Sequence, residues 1–206
     1  ANVGDSRAIL CRDWVAVDLT VDHKPNVPTE RSRVESLGGE VQWCGLRDKK
    51  TGEPLPSTGV YRINGNLAVS RAIGDRSERP WVSAEVDFNV EEILPHDGFV
   101  LLASDGLWDV MSSQDVVDFV YDVLEPDLDE DEEKHMAHST ENELSNEPQR
   151  NSARQYARTR NETNRKRKNM AKYVVKEALR RGSVDNISVV IIWLNNPGTD
   201  MKTFKR

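Results

Sequence analysis

The sequence predicts a mixed α/β domain, on three observations. Residues 99–103 (FVLLA) are a continuous apolar run, as expected of a buried strand, and residues 187–194 (ISVVIIWL) are apolar except for Ser188 and read as a final strand. Residues 114–124 and 171–181 place their apolar side chains at helical spacing. Between these two stretches, residues 125–168 hold only seven apolar residues in 44. That is too little apolar surface to offset chain entropy, which predicts a charged, disordered insertion inside one domain made of residues 1–124 and 169–196, with 197–206 as a tail.

The elements follow in order. Residues 7–11 and 14–19 are short β-type runs about an Arg12-Asp13 turn and read as a hairpin, which places Ala1 at or inside a strand leading into it. Residues 29–37 carry Val34 and Leu37 at helical spacing, with Thr29 as the N-cap and Gly38-Gly39 as the stop. The 99–103 strand comes next. Residues 114–124 set Val116, Val117, Val120, Val123 and Leu124 on one helical face, opened by Ser112 three residues before Asp115 as in a capping box. Past the insertion, Val174, Val175, Ala178 and Leu179 repeat that logic and Gly182 ends the helix. The final strand, 187–194, reads as buried on both faces or nearly so.

Composition bounds the function. The chain has 206 residues and a net charge of −7, against the strong basicity expected of a protein that coats nucleic acid. No window approaches the ~20 apolar residues of a membrane span, and no basic-then-apolar stretch opens the chain as a secretory signal would. Two cysteines, Cys11 and Cys44, are too few for a disulfide scaffold and favour a reducing compartment, cytoplasmic or nuclear. The absence of an initiator methionine before Ala1 predicts a processed product or a fragment.

Two acidic turns carry the candidate chemistry. In Ala103-Ser104-Asp105-Gly106-Leu107-Trp108-Asp109 a buried strand runs into an Asp followed by Gly, which permits a tight turn and projects Asp105 from a rigid end. In Gly182-Ser183-Val184-Asp185-Asn186-Ile187 a second carboxylate precedes the last strand. Carboxylates so placed suit hard divalent cations such as Mg²⁺ and Mn²⁺. The same spacing also suits Asp residues that only bond their own backbone in a turn. A tyrosine-phosphatase reading fails, because the C-x5-R pattern needs Arg where Val17 follows Cys11 and Lys50 follows Cys44; both cysteines read as packing residues. The four histidines, His23 (a turn residue), His96, His135 and His138, lack zinc-site spacing, and no G-x4-G-K-[ST] phosphate loop is present.

Six stretches together resemble the metal-dependent protein serine/threonine phosphatases of the type 2C (PPM) family: 1–8 (ANVGDSRA), 19–25 (LTVDHKP), 30–41 with its Gly38-Gly39, 65–75 (GNLAVSRAIGD), 103–111 (ASDGLWDVM) and 182–190 (GSVDNISVV). Their order and spacing agree with the family across the chain outside the insertion. The resemblance implies two packed, mainly antiparallel sheets flanked by helices, an α-β-β-α sandwich that is incomplete here at its N-terminus. It implies that Asp105 and Asp185 ligate a centre of two Mg²⁺ or Mn²⁺ ions, and that Asp5 and Asp109, with Asp105, shape a weaker third site. Taken as residues alone, Asp5 reads as a strand carboxylate paired with Arg7 or another base, and Asp109 as a solvated one. Residues 41–61 correspond to the family's mobile flap; Ser70, Arg71 and Asp75 read as scaffold. Ala84 stands where the family commonly has Pro, which bears on loop stiffness.

The implied activity is hydrolysis of phosphoserine and phosphothreonine in phosphoprotein substrates by a metal-activated water, without a covalent phosphoenzyme. The family's Asp-Gly-His-Gly-Gly segment, its earlier acidic ligand and its phosphate-binding arginine have no counterpart in the sequence. With the catalytic groups thus expected upstream of Ala1, the 206 residues alone are expected to be inactive and to leave apolar edges and faces open. The complete protein is expected to be a monomer, with no membrane or nucleic-acid partner. The insertion holds the acidic run 129–133 and the basic cluster Arg165-Lys166-Arg167-Lys168, which read as solvated charge or as a partner-docking or import segment. The rival reading is a pseudophosphatase or binding module that docks partners through this insertion.

Overall fold

The computed structural model describes residues 1–125 and 148–194. A four-stranded antiparallel sheet is built from β1 (Arg7–Arg12), β2 (Val15–Asp18), β5 (Asp97–Ala103) and β6 (Val189–Trp193) in the order β2-β1-β5-β6. A second, two-stranded sheet pairs β3 (Val41–Cys44) with β4 (Val60–Ile63). The helices are α1 (Pro28–Ser36), α2 (Asp105–Trp108), α3 (Ser113–Leu124) and α4 (Pro148–Arg180). The α+β class expected from the sequence, antiparallel sheets flanked by helices, is the class observed.

The sheet alternation sorts the core. Ile9, Cys11, Phe99, Leu101 and Ala103 point to one face and pack with Leu107, Trp108 and Met111, with Val116, Val117, Val120 and Leu124 of α3, and with Met170, Val174 and Ala178 of α4. Each such aliphatic or aromatic side chain contributes roughly 1.5–3 kcal/mol by leaving water. Successive side chains on β5 and β6 alternate, so the opposite face carries Leu102, Val190 and Ile192, which are 40%, 57% and 50% exposed. The burial on both faces expected for residues 187–194 is therefore not met: β6 is an edge strand, and this face is exposed at Leu102, Val190 and Ile192, while Leu10 on the same face is buried. The smaller sheet has its own core of Val34, Val41, Ile63 and Val82, closed by Tyr61 and Trp81.

Local chemistry explains most element ends and corrects several. The hairpin turns at Asp13-Trp14, one residue later than the Arg12-Asp13 expected, and both residues have positive φ (50° and 61°). That left-handed pair matches the twist of the strands. Trp14 tolerates it because its ring meets Tyr121 edge-on at 4.7 Å and its carbonyl accepts a bond from Gln114. Helix α1 starts at Pro28, preorganised for a first helical position, and Val27 is its cap, so Thr29 lies inside the helix. Leu37 is exposed. At α3 the capping box is present in both directions: Ser112 Oγ accepts from Asp115 N–H (3.1 Å), and Ser112 N–H donates to Asp115 Oδ2 (2.9 Å).

The insertion is corrected in part. Where disorder is expected up to residue 168, α4 is continuous from Pro148 to Arg180, so residues 148–168 are helix. Low apolar content decided the expectation, yet a polar stretch without internal Gly or Pro continues a helix that residues 170–178 already anchor. Residues 126–147, with the acidic run 129–133, and the tail beyond 194 lie outside the described residues. Within α4, Leu179 is 54% exposed and not on the buried face. Gly182 (φ +97°) closes the helix as expected, with its N–H on Leu179 O and Ser183 N–H on Ala178 O. Among the described residues, no helix is long and apolar enough to cross a membrane.

Candidate functional site

Asp105 and Asp185 stand at neighbouring ends of the sheet because β5 and β6 pair antiparallel, with Ala103 opposite Val189. The two turns are bonded to each other directly. Ser104 Oγ donates to Asn186 O (3.1 Å) and accepts from Ser188 N–H (3.0 Å), Ser104 N–H donates to Ser188 O (3.1 Å), and Ser183 Oγ donates to Gly106 O (2.6 Å). The Asp-Gly step is not the tight turn expected. It opens the short helix α2, and Gly106 is required for closeness: a Cβ there would lie 2.5 Å from Asn186 O. Both carboxylates also bond their own backbone, Asp105 Oδ1 to Gly106 N–H (2.9 Å) and Asp185 Oδ1 to Asn186 N–H (2.6 Å). The turn-forming alternative and the juxtaposition therefore coexist.

Asp5 reaches the same region from the segment before β1. It does not pair with Arg7, which instead holds Asp22 through two bonds (2.9 and 2.8 Å) and lies over the Trp108 ring at 5.0 Å. Asp5 Oδ2 accepts from Lys24 Nζ at 2.6 Å, and Lys24 stands 3.9 Å from Asp109 Oδ1. Asp109, at the C-terminal end of α2, is 62% exposed in its side chain. Burial raises the Asp105 carboxyl pKa above its ordinary value; the charge of Asp5 adds to this, Lys24 opposes it, and Asp185 and Asp109 reinforce it. All four carboxylates thus share one field. Burial opposes the Lys24 charge, yet the bond to Asp5 and the fields of Asp109 and Asp105 hold its pKa above the ordinary lysine value.

Lys24 and its neighbour His23 are the site residues that sequence reasoning missed as participants. His23 is buried (2% exposed), not an ordinary turn residue. Its Nδ1 accepts from Gly4 N–H (3.1 Å), which leaves Nε2 as donor to Asp87 (3.0 Å). Arg71 joins Asp87 to the buried Glu30 (2.8 and 2.6 Å), and Arg33 completes the pair with Glu30 (2.9 Å). Arg71 therefore acts as scaffold, as does Ser70, whose Oγ donates to His23 O (3.0 Å). The partners lie 19 to 64 residues apart, so no local pattern advertised them. Both cysteines had read as packing residues; Cys11 is one, and Cys44 is exposed.

A family model described as "Protein phosphatase 2C" matches residues 1–147. The chain belongs to the protein phosphatase 2C family. It is 34% identical over 192 residues to probable protein phosphatase 2C 71 of Arabidopsis thaliana, covering 93% of this chain and 31% of the relative. It is 40% identical over 133 residues to protein phosphatase ppm-1.G of Caenorhabditis elegans, covering 60% of this chain and 24% of the relative. Among solved structures it is similar to a C. elegans sex determining protein (27% identity, TM-score 0.66, covering 95% of this chain and 36% of that one). A phosphatase from Toxoplasma gondii is also similar, at 27% identity and TM-score 0.52, covering 95% of this chain and 48% of that one. The chain thus spans about a third of the first Arabidopsis relative.

The protein phosphatase 2C family is in general metal dependent. The donor chemistry here fits a metal: four carboxylates are hard oxygen ligands whose mutual repulsion, visible at Asp105, a divalent ion relieves. The geometry does not yet enclose an ion. Among the described residues, no three His, Cys, Asp or Glu side chains converge as a metal-holding group.

Proposed function

We propose that this chain carries the C-terminal part of the catalytic domain of a Mg²⁺- or Mn²⁺-dependent protein serine/threonine phosphatase acting on phosphoserine and phosphothreonine. The observation that supports it is the direct bonding of the Asp105 and Asp185 turns through Ser104 and Ser183 at one end of the sheet. In this reading Asp105 and Asp185 hold two divalent ions together with ligands supplied from outside these 206 residues. Asp5 and Asp109 serve a weaker third site. When bound, such ions supply a water of lowered pKa and a clamp on the phosphoryl oxygens, so no covalent phosphoenzyme is needed. The chain's own contribution is positional: β5 and β6 fix the spacing of the two carboxylates, and the Gly4–His23 pair fixes Asp5.

Two carboxylates are too few to fix catalytic geometry, so the 206 residues alone are proposed to be inactive. The test is turnover of a phosphothreonine peptide by the full-length protein and by this chain, each with and without Mn²⁺. Full-length protein is expected to turn over only with the ion and to lose at least about 100-fold in Asp105→Asn and Asp185→Asn, in line with the cost of disturbing a metal site. Metal-dependent turnover by the 206-residue chain contradicts the fragment reading. A complete protein that stays inert with the ion is instead a binding module of the same fold.

A further inference from the structure

Gly4 and His23 exchange two bonds: Gly4 N–H donates to His23 Nδ1 (3.1 Å) and His23 N–H donates to Gly4 O (3.0 Å). Gly4 can do this because its φ is +113°, a conformation that side chains disfavour. The exchange sets the two following residues, Asp5 and Lys24, side by side. Lys24 is anchored along its backbone: its N–H donates to Asp22 O, its carbonyl accepts from Val27 N–H, and the preceding carbonyl accepts from Ser70. Only its side chain is left to move. That side chain reaches Asp5 at 2.6 Å and turns toward Asp109 at 3.9 Å, across from the segment before β1 to the end of α2.

Two carboxylates from separate elements repel unless a cation lies between them. Here the cation is part of the chain. We propose that Lys24 is a tethered counter-ion that holds Asp5 and Asp109 together, and that a divalent ion engages this pair only by displacing its ammonium. An ammonium at bonding distance from Asp5 Oδ2 takes up one of the two carboxylate oxygens and sets a positive charge beside the other, which repels an incoming cation. Lys24 therefore lowers the affinity of the weaker ion and leaves the Asp105 and Asp185 ions less affected. It is a positioning residue: in the ion-free state it keeps Asp5 and Asp109 where the ion will find them.

This rests on the metal-dependent reading above, and the experiment separates the two. Bound Mn²⁺ is counted by electron paramagnetic resonance in the full-length protein, unaltered and as Lys24→Met and Lys24→Gln. The weakest Mn²⁺ is expected to bind on the order of tenfold tighter in both variants, within the usual range of coupling between neighbouring sites, with the stronger ions unchanged. Unchanged or weaker binding of that ion in a folded variant overturns the proposal and leaves the metal reading standing. No Mn²⁺ bound by the unaltered protein defeats the metal reading itself, and the displacement with it. Should both variants fail to fold, the Lys24 ammonium resonance of the unaltered, ¹⁵N-lysine-labelled protein is followed as Mg²⁺ is added. It is expected to shift as the weaker ion binds; a resonance unmoved at saturation overturns the proposal.

Discussion

Gly106 sets two physical effects against each other, and their sizes differ enough to be told apart. It lies in a helix, where replacing Gly by Ala ordinarily stabilises by about 0.5–1 kcal/mol. The added Cβ, however, would lie 2.5 Å from Asn186 O and 3.2 Å from Ile187 Cγ1, where ordinary contact begins near 3.4 Å. Relief needs a shift of about 0.9 Å in a backbone atom rather than in a flexible side chain. Forced overpacking of that kind costs roughly 1–3 kcal/mol, so Gly106→Ala is expected to be destabilised by about 1–2 kcal/mol net. Urea unfolding of the full-length protein is then expected to lose about 0.5–1 M in midpoint at an unchanged slope. Asn186 adjoins Asp185, so the same shift separates the two carboxylates, and misplacement by about 1 Å costs on the order of 100-fold in turnover. A midpoint that rises, with full activity retained, would show that helix propensity prevails and that the contact between the two turns is slack.

Three further outcomes follow from the same geometry. Burial alone would raise the Glu30 carboxyl pKa, but bonds from Arg71, Arg33 and Ser70 hold it at about 2, below the ordinary 4.5. A depressed carboxyl stabilises the fold fully above its unfolded pKa, so on the order of 3 kcal/mol is expected to be lost as pH falls from about 4.5 to about 2; a Glu30→Gln variant with the same pH slope would speak against it. Burial pushes the Cys11 thiol up to about 12, while Cys44 is exposed, so a thiol reagent at pH 7.5 is expected to label Cys44 and spare Cys11 until the protein unfolds. Equal labelling of both in the native state is the contrary result. Ser112→Ala removes the α3 capping box and is expected to cost about 1 kcal/mol in thermal or urea unfolding; no measurable change would mean that α3 is held by packing alone.

Reading the chain in one dimension succeeded where the physics is local. The α3 capping box needs only Ser112 and Asp115 three residues apart, and the Gly182 stop needs only a residue free to adopt positive φ. Helical periodicity likewise marked α3 and the last turns of α4, because burial of one face repeats along the chain, and apolar runs marked β5 and β6. Low apolar content was a poorer guide at residues 148–168, since a helix anchored further on continues through polar residues.

What the sequence alone determined about this protein is thus its class, its principal helix and strand segments and the family to which its motifs belong, all properties of near neighbours along the chain. Tertiary structure alone decided the rest. The Asp105 and Asp185 turns meet only because β5 and β6 pair with Ala103 opposite Val189. Gly106 matters for closeness to Asn186 and not for a tight turn. Lys24 meets Asp109 across 85 residues of sequence, and the His23, Asp87, Arg71 and Glu30 chain is likewise assembled from remote segments. Charges act through space and fall off with distance, so their partners are chosen by the fold that brings them within a few ångströms, and that distance is written nowhere in the order of the residues.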